Sequence, residues 1–422
     1  MGERNLQGVQ RRQLVVALAS IPILTWPWFS FAQPAASRSR SKTPPVWTGF
    51  GLNGGAGQER YGLTRDFVKN ARNLDLTNSK AFIKESKLLA DLLSKQQPPL
   101  VKFKDAVEFG EDMLVGFAHD YEVAVGARVE KDGEDANTLF IFMSGVGLVL
   151  SFAQSTGWRI VSSFPFMLRF ERPGGDLKNL RAKALGYMEE AYRGYANAFV
   201  HFLGRFDKWE QGFSSNYFAR LTKASVHADA LSKLVTYRVD KVLSPDLLGF
   251  SCSSAICENL NIPVLPFQEN DALAKRYAVK FSDDLAAQNE ISIPDADLKF
   301  EVVLRDVEKK LINSTQRGVT IIRRTLVIRF LVFDEYASGS DKKFLNVLAA
   351  STHEDRTPLN STEDDTPERD LVFFDRLLSR TLANLLQGMV NSDAQKLSQA
   401  AVKLEFVAPA IPRFLELCAK TR

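Results

Sequence analysis

The run GVTIIRRTLVIRFLVFDE, from Gly318 to Glu335, alternates with a period of two. Leu326, Ile328, Phe330 and Val332 share one face, and Thr325 and Arg329 lie on the other. Such alternation specifies a strand with one face on a core and the other toward water. LKFEVVLRDVEKKL (Leu298 to Leu311) precedes it, and a turn, YASGSD, and a returning run, KFLNVLAAST, follow. After the polar stretch HEDRTPLNSTEDDTPE, a long helix pattern runs from Asp370 to about Met389. The first half of the chain has the same order. YEVAVGARVE (Tyr121 to Glu130), TLFIFMSGVGLVLSF (Thr138 to Phe152) and WRIVSSFPFMLRF (Trp158 to Phe170) read as strands. They are followed by ERPGGD and an amphipathic helix from Leu177 to about Phe206.

Strands joined by tight turns and followed by long helices predict an α+β protein. The expectation is two tandem domains, duplicates of one unit. Each is a mainly antiparallel sheet with long amphipathic helices packed on one face. Residues 48–212 form the first and 213–422 the second. Ile160 to Ser163 and Val347 to Ala350 hold equivalent places, an offset on the order of 185 residues, far beyond solenoid periods. A further helix pattern starts near Asn78 and stops at Pro98 and Pro99. The second half opens with a helical reading of Ser215 to Leu243, then two short strand candidates, IPVLPF and RYAVKF.

The N-terminus reads as an export signal over residues 1–32. Arg11 and Arg12 precede an apolar run from Leu14 to about Phe31, and Ser30 and Ala32 are the small residues of a cleavage site. The arginine pair leaves twin-arginine and Sec export both open, because Gln10 and Val15-Val16 depart from the twin-arginine pattern. Pro22 and Pro27 argue against a stable spanning helix. The alternative is an uncleaved inner-membrane anchor. Residues 33–47, rich in Pro, Ser and basic groups, read as a disordered linker. Arg38, Arg40 and Lys42 give it at most a weak membrane-surface contact. The expected destination is the periplasm or the exterior. Of a formal net charge of +4, the signal segment supplies two, leaving +2, too near neutral to indicate nucleic-acid binding.

No coherent catalytic set emerges, and no cofactor or metal is implied. Gly49, Gly51 and Gly54 fit G-x-G-x-x-G, but SKTPPVW precedes them and GAGQERYG follows, so the reading is a Gly-rich loop. Ser144 and Ser251 lie in imperfect G-x-S-x-G contexts. His119-Asp120 and His353-Glu354-Asp355 are the places where a base could meet an acid. The acidic runs DGED and STEDDTPE do not follow the calcium-loop pattern and read as solvated loops.

Two features remain. On the helix from Leu177, the stripe that includes Tyr187, Met188, Tyr195, Phe199 and Phe202 is a core face or a ligand or partner groove. Cys252 and Cys257, in LLGFSCSSAICENLNIPVLPF, do not form a C-x-x-C redox pair, and zinc would need two more ligands. Export makes a local disulfide the leading reading, with a bridge to Cys418 as the alternative. Together these features predict an exported, non-catalytic binding or assembly factor for another envelope protein. A carrier of an apolar ligand or lipid is the alternative, and a hydrolase with a dispersed site the third reading.

Overall fold

The computed structural model describes residues 46–53, 62–64, 66–67, 113–131, 134–153, 157–173, 178–206, 217–240, 243–268, 276–281, 289–314, 318–358 and 366–421. The export signal, the linker up to residue 45 and the helix pattern near Asn78 lie outside them. Among the described residues no helix is long and apolar enough to cross a membrane.

Six strands close into a barrel in the order β1 (Val46–Asn53), β2 (Leu114–Lys131), β3 (Glu134–Ala153), β4 (Gly157–Pro173), β7 (Asn289–Ser292), β6 (Arg276–Phe281). The second sheet runs β10 (Lys343–Pro358), β9 (Val319–Asp334), β8 (Leu298–Ser314), β5 (Ala219–Val226). Both expected three-strand meanders are present, and the protein is α+β. The sheets are mixed, because β1 joins β2, β7 joins β4 and β5 joins β8 in parallel. One is a closed barrel.

Four sequence readings change. Ser215 to Leu243 divides into strand β5 and helix α2 (Ala228–Thr236), not one helix. Pairing with β8 overrides the helical spacing there. Gly49 and Gly51 lie within β1, so the glycine motif begins in a strand rather than a loop. The linker's last two residues, Val46 and Trp47, are buried in that strand too. Finally, β6 and β7 come from beyond residue 213 yet complete the barrel, so strand pairing crosses the expected domain boundary.

The helices explain how the sheets are joined. Helix α1 (Leu180–Phe206) packs on β2, β3 and β4. Helix α3 (Pro245–Leu260) is apolar nearly all round, as a helix buried on all sides should be, and touches β4, β5 and helix α4 (Pro367–Val390). Helix α4 in turn touches β2, β9 and β10. The two helices are thus shared by barrel and sheet, rather than serving one face of one sheet. Short helices α5 (Ala394–Gln399), α6 (Leu404–Val407) and α7 (Ile411–Lys420) finish the chain. Ala400 O accepts a hydrogen bond from Ala350 N, so the C-terminal segment covers part of the β10 edge.

The IPVLPF segment forms one bridge, Arg220 with Leu265, rather than a strand. It is nevertheless a seam. Val264 N donates to Ser163 O of β4 at 3.1 Å, and Leu265 N donates to Ala219 O of β5 at 2.8 Å. Val46, Leu114, Leu148, Trp158, Ile160 and Ile291 of the barrel strands form an apolar cluster separate from the main core, together with Leu265, Ile293 and Ala296.

Candidate functional site

The helix-facing side of the second sheet carries a row of basic side chains. Register sets Lys309 of β8 opposite Arg324 of β9, and Arg324 opposite His353 of β10. Like charges directly opposite each other on neighbouring strands are destabilising. Arg324 occupies the inward parity of Ile322, Leu326 and Ile328 and is fully buried. The first turn of α4 and the next inward position of β10 answer these charges. Arg324 Nε donates to Asp370 Oδ1 at 2.7 Å and its Nη1 to Asp355 Oδ2 at 2.7 Å. Lys309 Nζ donates to Asp370 Oδ2 at 2.6 Å. Arg369 Nε lies 3.5 Å from Asp355 Oδ2, and His353 Nε2 lies 3.0 Å from Asp355 Oδ1.

Phe373 holds the lattice from the α4 side. His353 stacks on its ring at 4.6 Å, and the Arg324 guanidinium lies 4.8 Å from its centroid. Burial alone would raise the Asp355 carboxyl. The hydrogen bond and charge of His353, with Arg324 and Arg369, outweigh it and hold that carboxyl below the usual range. Arg324 Nη2 is buried without a hydrogen-bond partner. It shares the guanidinium edge with Nε, the edge turned toward Asp370.

The lattice reaches the surface at a cleft of about 400 Å³. Lys309 and Asp370 lie in it with Leu311, Pro367, Thr236, Tyr237 and Arg238. Thr366 caps α4 there by accepting from Arg369 N at 3.2 Å, and the positive end of the helix dipole points the same way. Tyr237 fixes the opposite wall. Its ring stacks on Phe374 at 6.2 Å, and its hydroxyl accepts from Lys309 N at 3.1 Å.

Arg238 ends α2 in a Schellman motif. Val239 N donates to Leu234 O and Arg238 N to Val235 O, and Leu234 and Val239 are buried. The motif puts Arg238 at φ +61°, where glycine is preferred and an arginine costs about 1 kcal/mol. Among the described residues, the charged side chains that line the cleft are Arg238, Lys309 and Asp370, and ion pairs join Asp370 through Arg324 to Asp355 and Arg369 beneath. Leu311 of the cleft is 56 % exposed, and α2, whose end Thr236 lines the cleft, carries exposed Leu231 (46 %) and Val235 (54 %) on one face.

The residues singled out from sequence go elsewhere. Cys252 and Cys257 lie within α3, where both are buried and not joined in a disulfide, as is true of Cys418. Helical positions five apart point about 140° away from each other, with Cα atoms about 8.6 Å apart. That exceeds the roughly 7 Å limit for a disulfide, so the expected local bridge does not fit this helix. Met188 is fully buried and Tyr187 is half-buried against Phe170, so both serve the core face of α1. The side chains of Tyr195, Phe199 and Phe202 lie outside the described residues.

His119 belongs to a sealed polar chain. Its Nε2 lies 3.3 Å from Glu122 Oε2, Glu122 accepts from Thr64 N and Oγ1, and Thr64 Oγ1 meets the Tyr192 hydroxyl at 2.5 Å. Imidazole, carboxylate and hydroxyl are all buried, which denies a substrate access to them. Ser144 is buried in β3, and Ser251 donates to Met167 Sδ at 2.9 Å within the core. Among the described residues no three His, Cys, Asp or Glu side chains are grouped to hold a metal ion.

Arg324 was missed, although a signal was present: it is the one charge in the inward parity from Ile322 to Phe330. Compared with known proteins, the sequence matches no family model and no curated protein.

Proposed function

We propose that this protein is an exported, non-catalytic binding factor that meets another envelope protein at the α2–β8 surface beside the α4 cleft. The observation that carries the reading is the pair of exposed apolar side chains Leu231 and Val235 on α2, whose end at Thr236 lines a cleft that also holds the exposed Leu311. Exposed apolar residues bordered by polar groups are the usual make-up of an interaction surface. The buried histidine network gives little support to a hydrolase. Export rests on Arg11-Arg12 and the apolar run that follows. Descent from a duplicated unit is part of the proposal. It is supported by a parallel strand, a three-strand meander and a long helix, first as β1, β2–β4 and α1, then as β5, β8–β10 and α4.

The test is cross-linking in the envelope fraction with the full chain and with the double variant Leu231→Glu, Val235→Glu. Both positions are exposed, so the variant should keep the wild-type circular dichroism spectrum. A specific protein captured by the wild type and lost from the variant is expected. Identical capture by both would remove the surface from consideration.

A further inference from the structure

We infer that the partner segment binds as an added β-strand on the open edge of β8, at Leu311 to Asn313 beside the α4 cleft. This rests on the proposed protein-binding surface and names how the partner's backbone engages it.

The open edge follows from register. Strand β5 covers β8 from Leu298 to Leu304. Further along, Lys309 N donates away from β9 to the Tyr237 hydroxyl at 3.1 Å. Pairing with β9 runs without a shift from Asp306 to Ser314. In an antiparallel ladder, the N–H and C=O of one residue point to the same side and those of the next residue to the other. The backbone groups of Lys309, Leu311 and Asn313 therefore point away from β9, and those of Lys310 and Ile312 toward it. Among the described residues, no hydrogen bond reaches the outward backbone groups of Leu311 or Asn313.

An apolar patch can be covered in many ways, but an open row of strand donors and acceptors is complementary to another extended backbone. Elsewhere this sheet's edges take such bonds: Leu265 N donates to Ala219 O of β5, and Ala350 N of β10 donates to Ala400 O. Lysine commonly guards an exposed edge. Here Lys309 is drawn onto Asp370 with its side chain 11 % exposed, and Lys310 is engaged by Glu308 at 2.8 Å. Leu311 lines the cleft, and Ile312, 37 % exposed, lies on the opposite face of the sheet. An added strand would set alternate side chains beside Leu311 and beside Ile312. The segment that fits is extended and aliphatic on both faces.

The experiment measures hydrogen exchange at single amides of the full chain, with and without a labelled, amidated hexapeptide of alternating valine and threonine. A control peptide has its two central amides N-methylated, which blocks both of its edges and keeps its side chains. In the free protein, the Leu311 and Asn313 amides should exchange at least about a hundredfold faster than those of Lys310 and Ile312, which bond to β9. The unmethylated peptide should slow Leu311 and Asn313 about tenfold or more, and by fluorescence anisotropy it should bind at least about tenfold more tightly than the control. Leu311→Pro removes the outward N–H without breaking a bond to β9, so it should keep the circular dichroism spectrum and weaken the peptide about tenfold.

Leu311 and Asn313 amides already protected in the free protein would overturn the open edge. Protection that rises with the chain's own concentration would assign the edge to a second copy and overturn a partner strand. Equal binding of the two peptides, or binding of neither, would overturn strand addition, and cross-linking with the Leu231, Val235 variant would then judge the surface separately. Unchanged affinity in a folded Leu311→Pro would remove this edge from the site.

Discussion

Asp370 is the keystone of the ion lattice, and replacing it with asparagine tests the lattice directly. The carboxylate is 1 % exposed and accepts from Arg324 Nε at 2.7 Å and Lys309 Nζ at 2.6 Å. Asparagine keeps the shape and one acceptor oxygen, but turns an NH2 donor toward the second cation. Arg324, with no exposed surface, would then keep Asp355 as its charged partner. Removing one partner of a buried ion pair costs about 3–5 kcal/mol, because the remaining charge stays desolvated. With a urea m-value of about 3 kcal/mol/M, the unfolding midpoint should fall by about 1–1.7 M with the slope unchanged.

A surface pair provides the scale. Arg193 and Glu189 are an i, i+4 pair with side chains 61 % and 52 % exposed, and Glu189→Gln should cost no more than about 0.5 kcal/mol. If Asp370→Asn shifts the midpoint no more than Glu189→Gln does, the lattice is screened like a surface contact. The argument from burial would then be wrong.

Two further outcomes are expected. Gly249→Ala in α3 should destabilise the fold by about 1–3 kcal/mol in thermal melts, because the added Cβ would lie 2.1 Å from the buried Phe267 ring; a rise in Tm would show that the helix-propensity gain outweighs the clash. None of the three cysteines should react with iodoacetamide at pH 8 in the native protein, and all three should react after denaturation. Burial together with the Asp375 charge pushes the Cys252 thiol far above its ordinary value against the opposing pull of Arg169, so native labelling there or a disulfide-linked peptide would refute the packing of α3.

The strands of the second sheet were legible because their alternation survives folding unchanged. Leu326, Ile328 and Phe330 are fully buried, while Thr325 meets Thr352 at 3.1 Å and Arg329 meets Asn346 at 2.7 Å across β10. Helix α3 was not read as a helix, although its end signals were there. Ser244 caps it, Pro245 opens it, and Asn261 closes it in the left-handed conformation. The short strand β5 was hidden for another reason: it exists by pairing with β8, whose residues lie more than seventy positions further along the chain. The cleft was illegible because Arg238, Lys309, Arg324, Asp355 and Asp370 come from five separate elements or turns. Cross-strand register aligns Lys309, Arg324 and Asp355, and the packing of α2 and α4 on the sheet adds Arg238 and Asp370.

That register also bears on how the molecule presents its surface. A boundary near residue 213 suits the order of elements along the chain, but not the bonds between them. Helix α4 grips the barrel through Asp375, which takes a bidentate pair from Arg169 of β4 at 2.6 and 3.0 Å, and through Arg376, which reaches Glu171 at 2.7 Å. It grips the sheet through Asp370 and Arg369. The strands β6 and β7 and the seam at Val264–Leu265 add backbone ties between the halves. Cutting the chain between the halves would leave the barrel without two of its six strands and bare the buried charges of α4. The cleft at the start of α4 is therefore built on a helix held from both sides. Its floor is locked by Arg324 and Phe373, and its wall by Tyr237 on Phe374. A partner that docks there meets side chains already in place, so little of its binding energy is lost to ordering them.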